Sequence, residues 1–261
     1  MYKRIYCAAA AALGLLLMAG CASLSPDEAN TVRARVKELL ARPLGVQDAV
    51  QIALLNNRVA LQTRKAWFAA VAAQEAEKYM EQVNESAEAG AELARRMVAV
   101  GNWPKLNQAR EQAFYAETTA QLARARHARL VARERLTRQM GLWGEDTAYR
   151  LPERLPELPQ APREAGDLEA RAQARSEVRE AYSAYRTAFD LARHYRDEIV
   201  PLRKRISEEM LLRYNGMLAS VFELLADSRE SVASVSGYID ALRGFWIAES
   251  DLQMALAGRR P

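Results

Sequence analysis

The sequence predicts an all-α protein made of two long antiparallel α-helical hairpins (coiled coil), related by an internal repeat, with no transmembrane β-barrel. Three observations lead to this fold class. Apolar residues recur with a 3.6-residue period from Gly45 onward. Val, Ile and Thr are too scattered to build a sizeable sheet. No segment alternates over the roughly nine to eleven residues that a barrel strand needs.

Composition and charge exclude several classes of function. The 261 residues carry 37 Lys plus Arg against 33 Asp plus Glu, a net charge of +4, which is too small to indicate nucleic-acid binding. Cys7 and Cys21 are the only cysteines. Because both lie in the first 21 residues, the rest of the chain can form neither an internal disulfide nor a thiolate metal site.

The N-terminus has the parts of an export signal. Lys3 and Arg4 precede an apolar run over 8–20, which is too short to span a bilayer comfortably as a helix. The small residues before Cys21 resemble the bacterial lipobox, in which the cysteine is lipidated; the alternative is a plain signal peptide with an incidental cysteine. We expect 1–20 to be a lipoprotein signal peptide and Cys21 the lipidation site. Ala22 in place of Asp favours the outer membrane, by resemblance to the sorting pattern.

The first helical repeat is predicted over 46–141, after an N-terminal linker and short helix over 21–45. A short amphipathic helix over 46–57 opens it, and two helices of roughly 35 to 40 residues follow, joined by a turn near Gly101. The seam of the first helix is dominated by small residues at heptad spacing: Ala69, Ala73, Ala76, Met80, Val83, Ala87, Gly90, Ala94 and Met97. The seam predicted for the second is Leu106, Ala109, Ala113, Ala116, Ala120 and Ala123.

Charge supports this hairpin. Folding about Trp103 brings acidic residues of one helix near basic residues of the other: Glu75, Glu77, Glu81, Glu85 and Glu88 with Arg124, Arg126, Arg129 and Arg133. The basic run over 124–138 is therefore interpreted mainly as an internal complement. An anionic-lipid role is the remaining alternative, since export argues against nucleic acid.

A Pro-rich linker is predicted over 142–166 and a second helical repeat over 167–258, with its turn near Gly216. A shift of 115 residues places Gly101 on Gly216 and Trp67 on Tyr182, which indicates a duplicated hairpin. The predicted seam of its first arm is Ala181, Tyr185, Ala188, Ala192, Tyr195, Ile199, Leu202 and Ile206, with a kink at Pro201. The second arm has Val221, Leu225, Ser228, Val232, Val235, Ile239, Leu242 and Trp246.

Several segments together resemble the outer-membrane efflux family typified by TolC. They are DAVQIALLNN at 48–57, MVAVGNWPKLNQAR at 97–110, LPERLPELP at 151–159, RYNGMLASVFELLADSRE at 213–230 and YIDALRGFWIAESDLQMALAG at 238–258. The resemblance implies two structural repeats per protomer of a trimeric conduit. It also implies that the hairpin tips meet the periplasmic adaptor of a tripartite pump or a type I secretion system. The matching tip residues are Val100, Gly101, Asn102, Tyr214, Asn215 and Gly216.

The departure from the family is as informative as the match. Both halves lack the opening helix and the membrane-spanning strands of the family, so we expect that this chain cannot form the pore by itself. The resulting hypothesis is a TolC-like outer-membrane efflux-family lipoprotein, anchored through lipid at the periplasmic face. Its expected partners are the adaptor, the inner-membrane pump, and a homotrimer or a full-length homologue. The alternative is a non-transporting structural or regulatory coiled-coil lipoprotein of the periplasm.

An enzyme is not expected. His127 and His194 fall on different helices without a nucleophile or carboxylate constellation around them. Six methionines could suggest copper, but most occupy seam or end positions where Met is a common filler: Met80, Met97, Met140, Met210, Met217 and Met254. We therefore assign no catalytic residue, metal or cofactor.

Overall fold

The structure, a computed structural model, describes residues 26–56, 60–162 and 176–256. The predicted signal peptide over 1–20 and Cys21 lie outside these residues. The chain divides into two compact units, Met1–Arg42 and Pro43–Pro261. In the first unit the described part is a helix, α1, Pro26–Leu40, within the segment predicted as linker and short helix.

The second unit is helical, as predicted, and its described residues contain no β-strand. Its helices are α2 (Val46–Leu55), α3 (Ala60–Ala99), α4 (Lys105–Met140), α5 (Ser176–His194), α6 (Val200–Asn215) and α7 (Val221–Leu256). A 3₁₀ turn, Gly144–Thr147, follows α4, and a π-helical turn, Tyr195–Ile199, joins α5 to α6 without a break. None of the described helices is both long enough and apolar enough to cross a membrane.

Helices α3 and α4 form the first hairpin, and part of the predicted charge pairing is present. Glu77 pairs with Arg129, and Glu81 with Arg126 at 3.2 Å. Glu75 instead accepts a hydrogen bond from the Leu155 N–H at 3.0 Å. Arg133 donates to the carbonyls of Thr147 and Tyr149 rather than to an α3 carboxylate. The basic run is thus only partly neutralised by α3.

Helices α5 and α6 together face α7 in the second hairpin. Arg203 and Glu230 pair across it at 2.9 Å, and the Ser207 hydroxyl donates to Asp227 at 2.6 Å. Pro201 is accommodated by the π turn that precedes it, where the Val200 N–H donates to the Tyr195 carbonyl five residues back. A proline inside a helix clashes with the carbonyl four residues earlier, so widening the preceding turn lets the helix continue.

The two hairpins pack through α3 and α7, which run antiparallel. Near the start of α3, Arg64 donates to Glu249 at 2.8 Å; near its end, a Cβ on Gly90 would lie 3.4 Å from Leu225. Because the end of α3 is level with the start of α7, both interhelical turns lie at the same end of the bundle. We refer to that end as the tip end and to the opposite end, where α4 and α7 finish, as the base end.

The segment over 149–158, predicted as a linker, is a strap that crosses the helices in turn. The Tyr149 hydroxyl lies 2.9 Å from that of Thr137 on α4, and burial raises its pKa. Gln74 on α3 donates to the Pro152 carbonyl at 2.9 Å, and the Trp246 indole on α7 donates to that of Pro156 at 3.0 Å. Leucines at 151, 155 and 158 are buried beneath it. The strap therefore ties the two hairpins together near the base end.

One predicted seam is wrong and another is wrong in part: in the first arm of the second hairpin Tyr185 and Ala192 are buried as predicted, but the positions beyond the π turn are not. On α4 the residues Leu106, Ala109, Ala113, Ala116, Ala120 and Ala123 are all exposed, and the buried positions are Glu111, Thr118, Leu122, Leu136, Thr137 and Met140. On α6 Leu202 and Ile206 are exposed, and Arg203 and Ser207 face α7 instead. The π turn holds one residue more than an α-turn, so it rotates every later position of that arm away from the predicted seam.

Candidate functional site

The first tip turn is fixed by a hydrogen-bonded helix end. The Asn102 N–H donates to the Met97 carbonyl at 2.9 Å and the Gly101 N–H to that of Val98 at 3.0 Å, the two bonds of a Schellman motif. Gly101 has a φ of +76°, in the left-handed region that favours glycine. Pro104 then caps α4 in an extended conformation. The turn predicted near residue 101 is therefore where α3 ends.

The second tip turn has the same motif, displaced by one residue from the predicted glycine. The Leu218 N–H donates to the Arg213 carbonyl at 2.8 Å and the Met217 N–H to that of Tyr214 at 3.0 Å. The left-handed residue is thus Met217, with a φ of +58°, whereas Gly216 has a φ of −79° that any residue adopts. The backbone of this turn holds a methionine where the equivalent position of the first turn holds glycine.

A capping box starts the helix after the second turn. The Glu223 N–H donates to the Ser220 hydroxyl at 3.2 Å, and the Ser220 N–H donates to the Glu223 carboxylate at 2.8 Å. That backbone hydrogen bond holds the pKa of Glu223 below its ordinary value. The second tip turn is therefore held by helix-end hydrogen bonds on both sides, and the first by the Schellman bonds at the end of α3.

Large apolar side chains at the tip end are exposed. Met217 is 93% exposed and Leu218 75% exposed, and Val100, Leu106 and Leu212 are exposed as well. These five residues, which we refer to as the tip patch, come from both turns and the helix ends beside them. Of the predicted tip residues, Val100, Asn102, Asn215 and Gly216 are exposed with Gly101, and Tyr214 lies at the exposed limit. The sequence pattern did not single out Met217 and Leu218.

The arginines near the first turn are already engaged. Arg95 and Arg96 both bind Glu92, at 2.6 and 2.7 Å. These hydrogen bonds, of which the one from Arg96 has the largest effect, hold the pKa of Glu92 below its ordinary value. Beside the first turn the tip patch therefore presents mainly apolar side chains and turn backbone, while Lys105 and Arg213 are exposed next to it.

Below the tips, a buried ion pair joins the two hairpins. Glu111 on α4 is 2% exposed and accepts from Arg229 on α7 at 2.6 Å. The Arg229 guanidinium also lies over the Phe114 ring, 4.5 Å from its centre. A cavity of about 200 Å³ adjoins the pair, lined by α3, α4 and α7. The pair fixes the spacing of α4 and α7 at ten residues beyond Gly101 and twelve residues beyond Met217.

The histidines and methionines considered as possible catalytic or metal-binding residues do not lie together in the structure. His127 is exposed on α4, and His194 lies beside Glu198 on the second hairpin. The six methionines are spread from the base end to the tip end; Met80, Met140 and Met254 are buried, whereas Met217 is exposed. The described residues hold no group of three or more His, Cys, Asp or Glu side chains arranged to bind a metal.

Comparison with known proteins gives likeness of structure without likeness of sequence. No protein-family model matches the chain, and no characterised protein matches it in sequence. The chain is similar to a membrane protein from Pseudomonas aeruginosa of known crystal structure, with a TM-score of 0.62 and 15% identity over 82% of this chain and 68% of that one. At that identity the likeness shows a shared fold.

The chain also aligns with CusC, whose crystal structures concern folding and transmembrane channel formation. Its TM-score is 0.48 with 11% identity, over 88% of this chain and 96% of CusC. That score is too low to show a common fold.

Proposed function

We propose that this chain is a TolC-like outer-membrane efflux-family lipoprotein, the periplasmic helical component of a tripartite efflux or type I secretion system. In this proposal it engages a periplasmic adaptor, and through it an inner-membrane pump, by its tips. The observation that carries the proposal is the tip end itself: two antiparallel hairpins reverse direction at the same end and expose apolar side chains there. The similar fold of a membrane protein is consistent with a role at a membrane.

The tip patch fits a protein partner better than a small molecule. Its exposed residues sit on two convex turns rather than in a concavity, and small-molecule sites are concave. Exposed apolar patches commonly mark protein or membrane contacts, and rigid turns limit the entropy lost on binding. The Schellman bonds at both turns supply that rigidity. The proposal assigns the chain no enzymatic chemistry.

The test is capture of a periplasmic adaptor protein by the chain, with a variant that removes tip apolar surface without straining the fold. Met217→Gly combined with Leu218→Ser deletes the two most exposed side chains of the tip patch. Glycine also suits the left-handed backbone at 217, so thermal stability should not fall through that change. We expect adaptor binding to weaken at least about tenfold, the effect of losing roughly 1.4 kcal/mol of contact.

The matched control is Leu54→Ser, which removes an exposed leucine at the base end. It should leave adaptor binding unchanged. Equal capture by wild type and the tip variant would contradict docking through the tip patch. Absence of capture by wild type under crosslinking would favour the alternative of a non-transporting coiled-coil lipoprotein.

Self-association is the second part of the proposal, and the exposed faces of α4 and α5–α6 support it. The face of α4 formed by Leu106, Ala109, Ala113, Ala116, Ala120 and Ala123 has heptad spacing but no described helix covering it. On the opposite edge Leu191, Leu202 and Ile206 are exposed. Apart from Leu106, which belongs to the tip patch, the α4 edge carries small side chains and the other edge carries large ones. The two edges are therefore complementary in size, so a second copy or a full-length homologue can pack edge to edge.

The observed contacts show which residues of the two edges lie at the same level along the bundle. Thr119 donates to Asn84 on α3 at 3.0 Å, the neighbouring Val83 lines the same cavity as Ser231, and Glu230 pairs with Arg203. Ala120 and Leu202 are therefore level in one chain. In copies that stand side by side at equal height these two residues meet, and Arg124 meets Glu198 one turn closer to the base.

Cysteine crosslinking tests this register. In cells, Ala120→Cys with Leu202→Cys should give disulfide-linked dimers and trimers, because α3 and α7 separate the two edges within one chain. The control is Ala109→Cys with Leu202→Cys, which are mismatched in height by about 16 Å at 1.5 Å per residue. Crosslinking of both pairs to the same extent, or of neither, would contradict edge-to-edge assembly.

A further inference from the structure

The base end carries an exposed tryptophan at the crest of the loop after α4. Gly141 and Gly144 have φ values of +70° and +64°, and Trp143 between them is extended. The Leu142 N–H donates to the Thr137 carbonyl at 3.1 Å, which closes the helix. The chain then returns along α4, where Tyr149 reaches Thr137. The loop thus holds Leu142 inward and leaves Trp143 76% exposed.

Trp143 differs from the other tryptophans in how its indole is placed. Trp67 is buried and donates its Nε1–H to the Leu44 carbonyl at 2.8 Å, and Trp246 donates to the Pro156 carbonyl at 3.0 Å. Trp103 is half-buried at the tip end. The Trp143 indole is thus a large apolar surface whose N–H has no acceptor in the described part of the chain.

The surroundings of Trp143 combine exposed apolar surface with charged residues of both signs. Leu54 is 57% exposed and lies two residues before Asn56, whose side-chain amide donates to the Met140 carbonyl at 2.7 Å, three residues before Trp143. Arg135 and Arg138 are exposed in the last two turns of α4 and form no ion pair within the described residues. Glu145 and Asp146 follow Trp143 on the loop. The base end therefore carries negative charge on the loop and positive charge on α4.

We propose that the base end rests on a phospholipid surface, with Trp143 and Leu54 in the headgroup region and Arg135 and Arg138 near lipid phosphates. A tryptophan ring prefers the membrane interface because its body is apolar while its N–H can bond to lipid carbonyls or water. Arginine pairs well with phosphate. The site lies at the end opposite the tip patch, so membrane contact and adaptor docking occur at separate surfaces. The inference rests on the proposed outer-membrane location but not on adaptor binding.

Tryptophan fluorescence of the full chain with vesicles tests this contact. The vesicles contain phosphatidylethanolamine and phosphatidylglycerol, with brominated acyl chains as quenchers. We expect a blue shift of the emission and quenching by brominated lipid in wild type. Both should be lost in Trp143→Phe, and both should persist in the matched control Trp103→Phe. Trp143→Phe should melt at the wild-type temperature, since residue 143 is exposed.

Four outcomes would overturn the inference. Vesicle-bound protein without quenching, or with quenching that persists in Trp143→Phe, would show that the base end does not touch lipid. A blue shift that follows protein concentration without vesicles would show that a second copy covers Trp143. No vesicle association by wild type at high lipid would exclude the lipid surface as the partner.

The variant Cys21→Ser separates the effect of the lipid anchor from that of the base end. It should weaken flotation with vesicles yet retain quenching of the bound fraction. Adaptor capture by Trp143→Phe should be unchanged. A failure of the lipid-contact inference can therefore be told apart from a failure of the proposed function.

Discussion

Replacing Arg229 with methionine is expected to destabilise the protein by about 3 to 5 kcal/mol, the usual effect of leaving a buried charge without its partner. Glu111, the partner, is almost completely buried and accepts from Arg229 at 2.6 Å. The substitution removes that donor and the guanidinium over Phe114, while the carboxylate stays in a low-dielectric position. The free energy of unfolding in urea is the measurement, compared at constant pH and salt.

A double variant separates the contribution of the ion pair to stability from the contribution of side-chain packing. Glu111→Met with Arg229→Met fills the same space without charge, and such apolar replacements of buried pairs are often neutral or stabilising. We expect the double variant to recover most of the stability lost by the single one. If it is as unstable as Arg229→Met, the loss comes from the packing of the long side chain over Phe114, and the electrostatic explanation is wrong.

That pair also explains why one face of α4 could not be predicted from periodicity. The helix offers an alanine-rich face and a face with Glu111 and Thr118, and a hydrophobic pattern selects the first. The structure buries the second, because Arg229 lies opposite Glu111 and Asn84 lies opposite Thr118. Complementarity between specific partners decided the orientation, and a single sequence does not record which distant residues meet.

Helix α3 shows the opposite case. Its predicted seam coincides with the buried positions Met80, Val83, Ala87, Gly90 and Ala94, whereas its other members, Ala69, Ala73, Ala76 and Met97, are only half-buried. Small and apolar residues follow each other there at heptad spacing, and the partners on both sides are helices, so the period alone was sufficient. Sequence reasoning thus succeeds from Met80 to Ala94, where a single apolar face is buried, and fails on α4, where the buried face includes paired polar residues.

The candidate site was predictable in place but not in detail. Gly101 and Pro104 predicted the first turn because both residues terminate helices. In the second turn Gly216 suggested the same role, yet the left-handed position is Met217. The hydrogen bonds at the helix end determine which residue takes the left-handed conformation. A glycine at 216 is compatible with a left-handed residue at either 216 or 217, so the sequence did not distinguish the two positions. Trp143 gave no signal in the sequence, because its exposure depends on how the loop closes over α4.

Phe245→Ala is expected to cost about 3 to 5 kcal/mol of folding free energy, the range for removing a buried phenylalanine. Phe245 is fully buried on α7 and its ring contacts those of Tyr185, Phe189 and Trp246 at centroid distances of 5.0 to 5.8 Å. Trp246 in turn stacks on Phe68 of α3 at 5.2 Å. This aromatic cluster therefore joins the second hairpin to the first, and the cavity left by alanine loosens both.

The matched control is Phe222→Ala at the start of α7, where the ring is only half-buried and lies 5.7 Å from the Arg110 guanidinium. Its loss should be smaller, about 1 kcal/mol, the range for an exposed cation–π contact. Both values come from denaturant titration followed by circular dichroism. A second readout identifies the mechanism: amide hydrogen exchange in Phe245→Ala should accelerate on α3 as well as on α7, because the cluster spans both helices. Faster exchange confined to α7 would show that the hairpins are held together elsewhere, by the strap and the ion pairs.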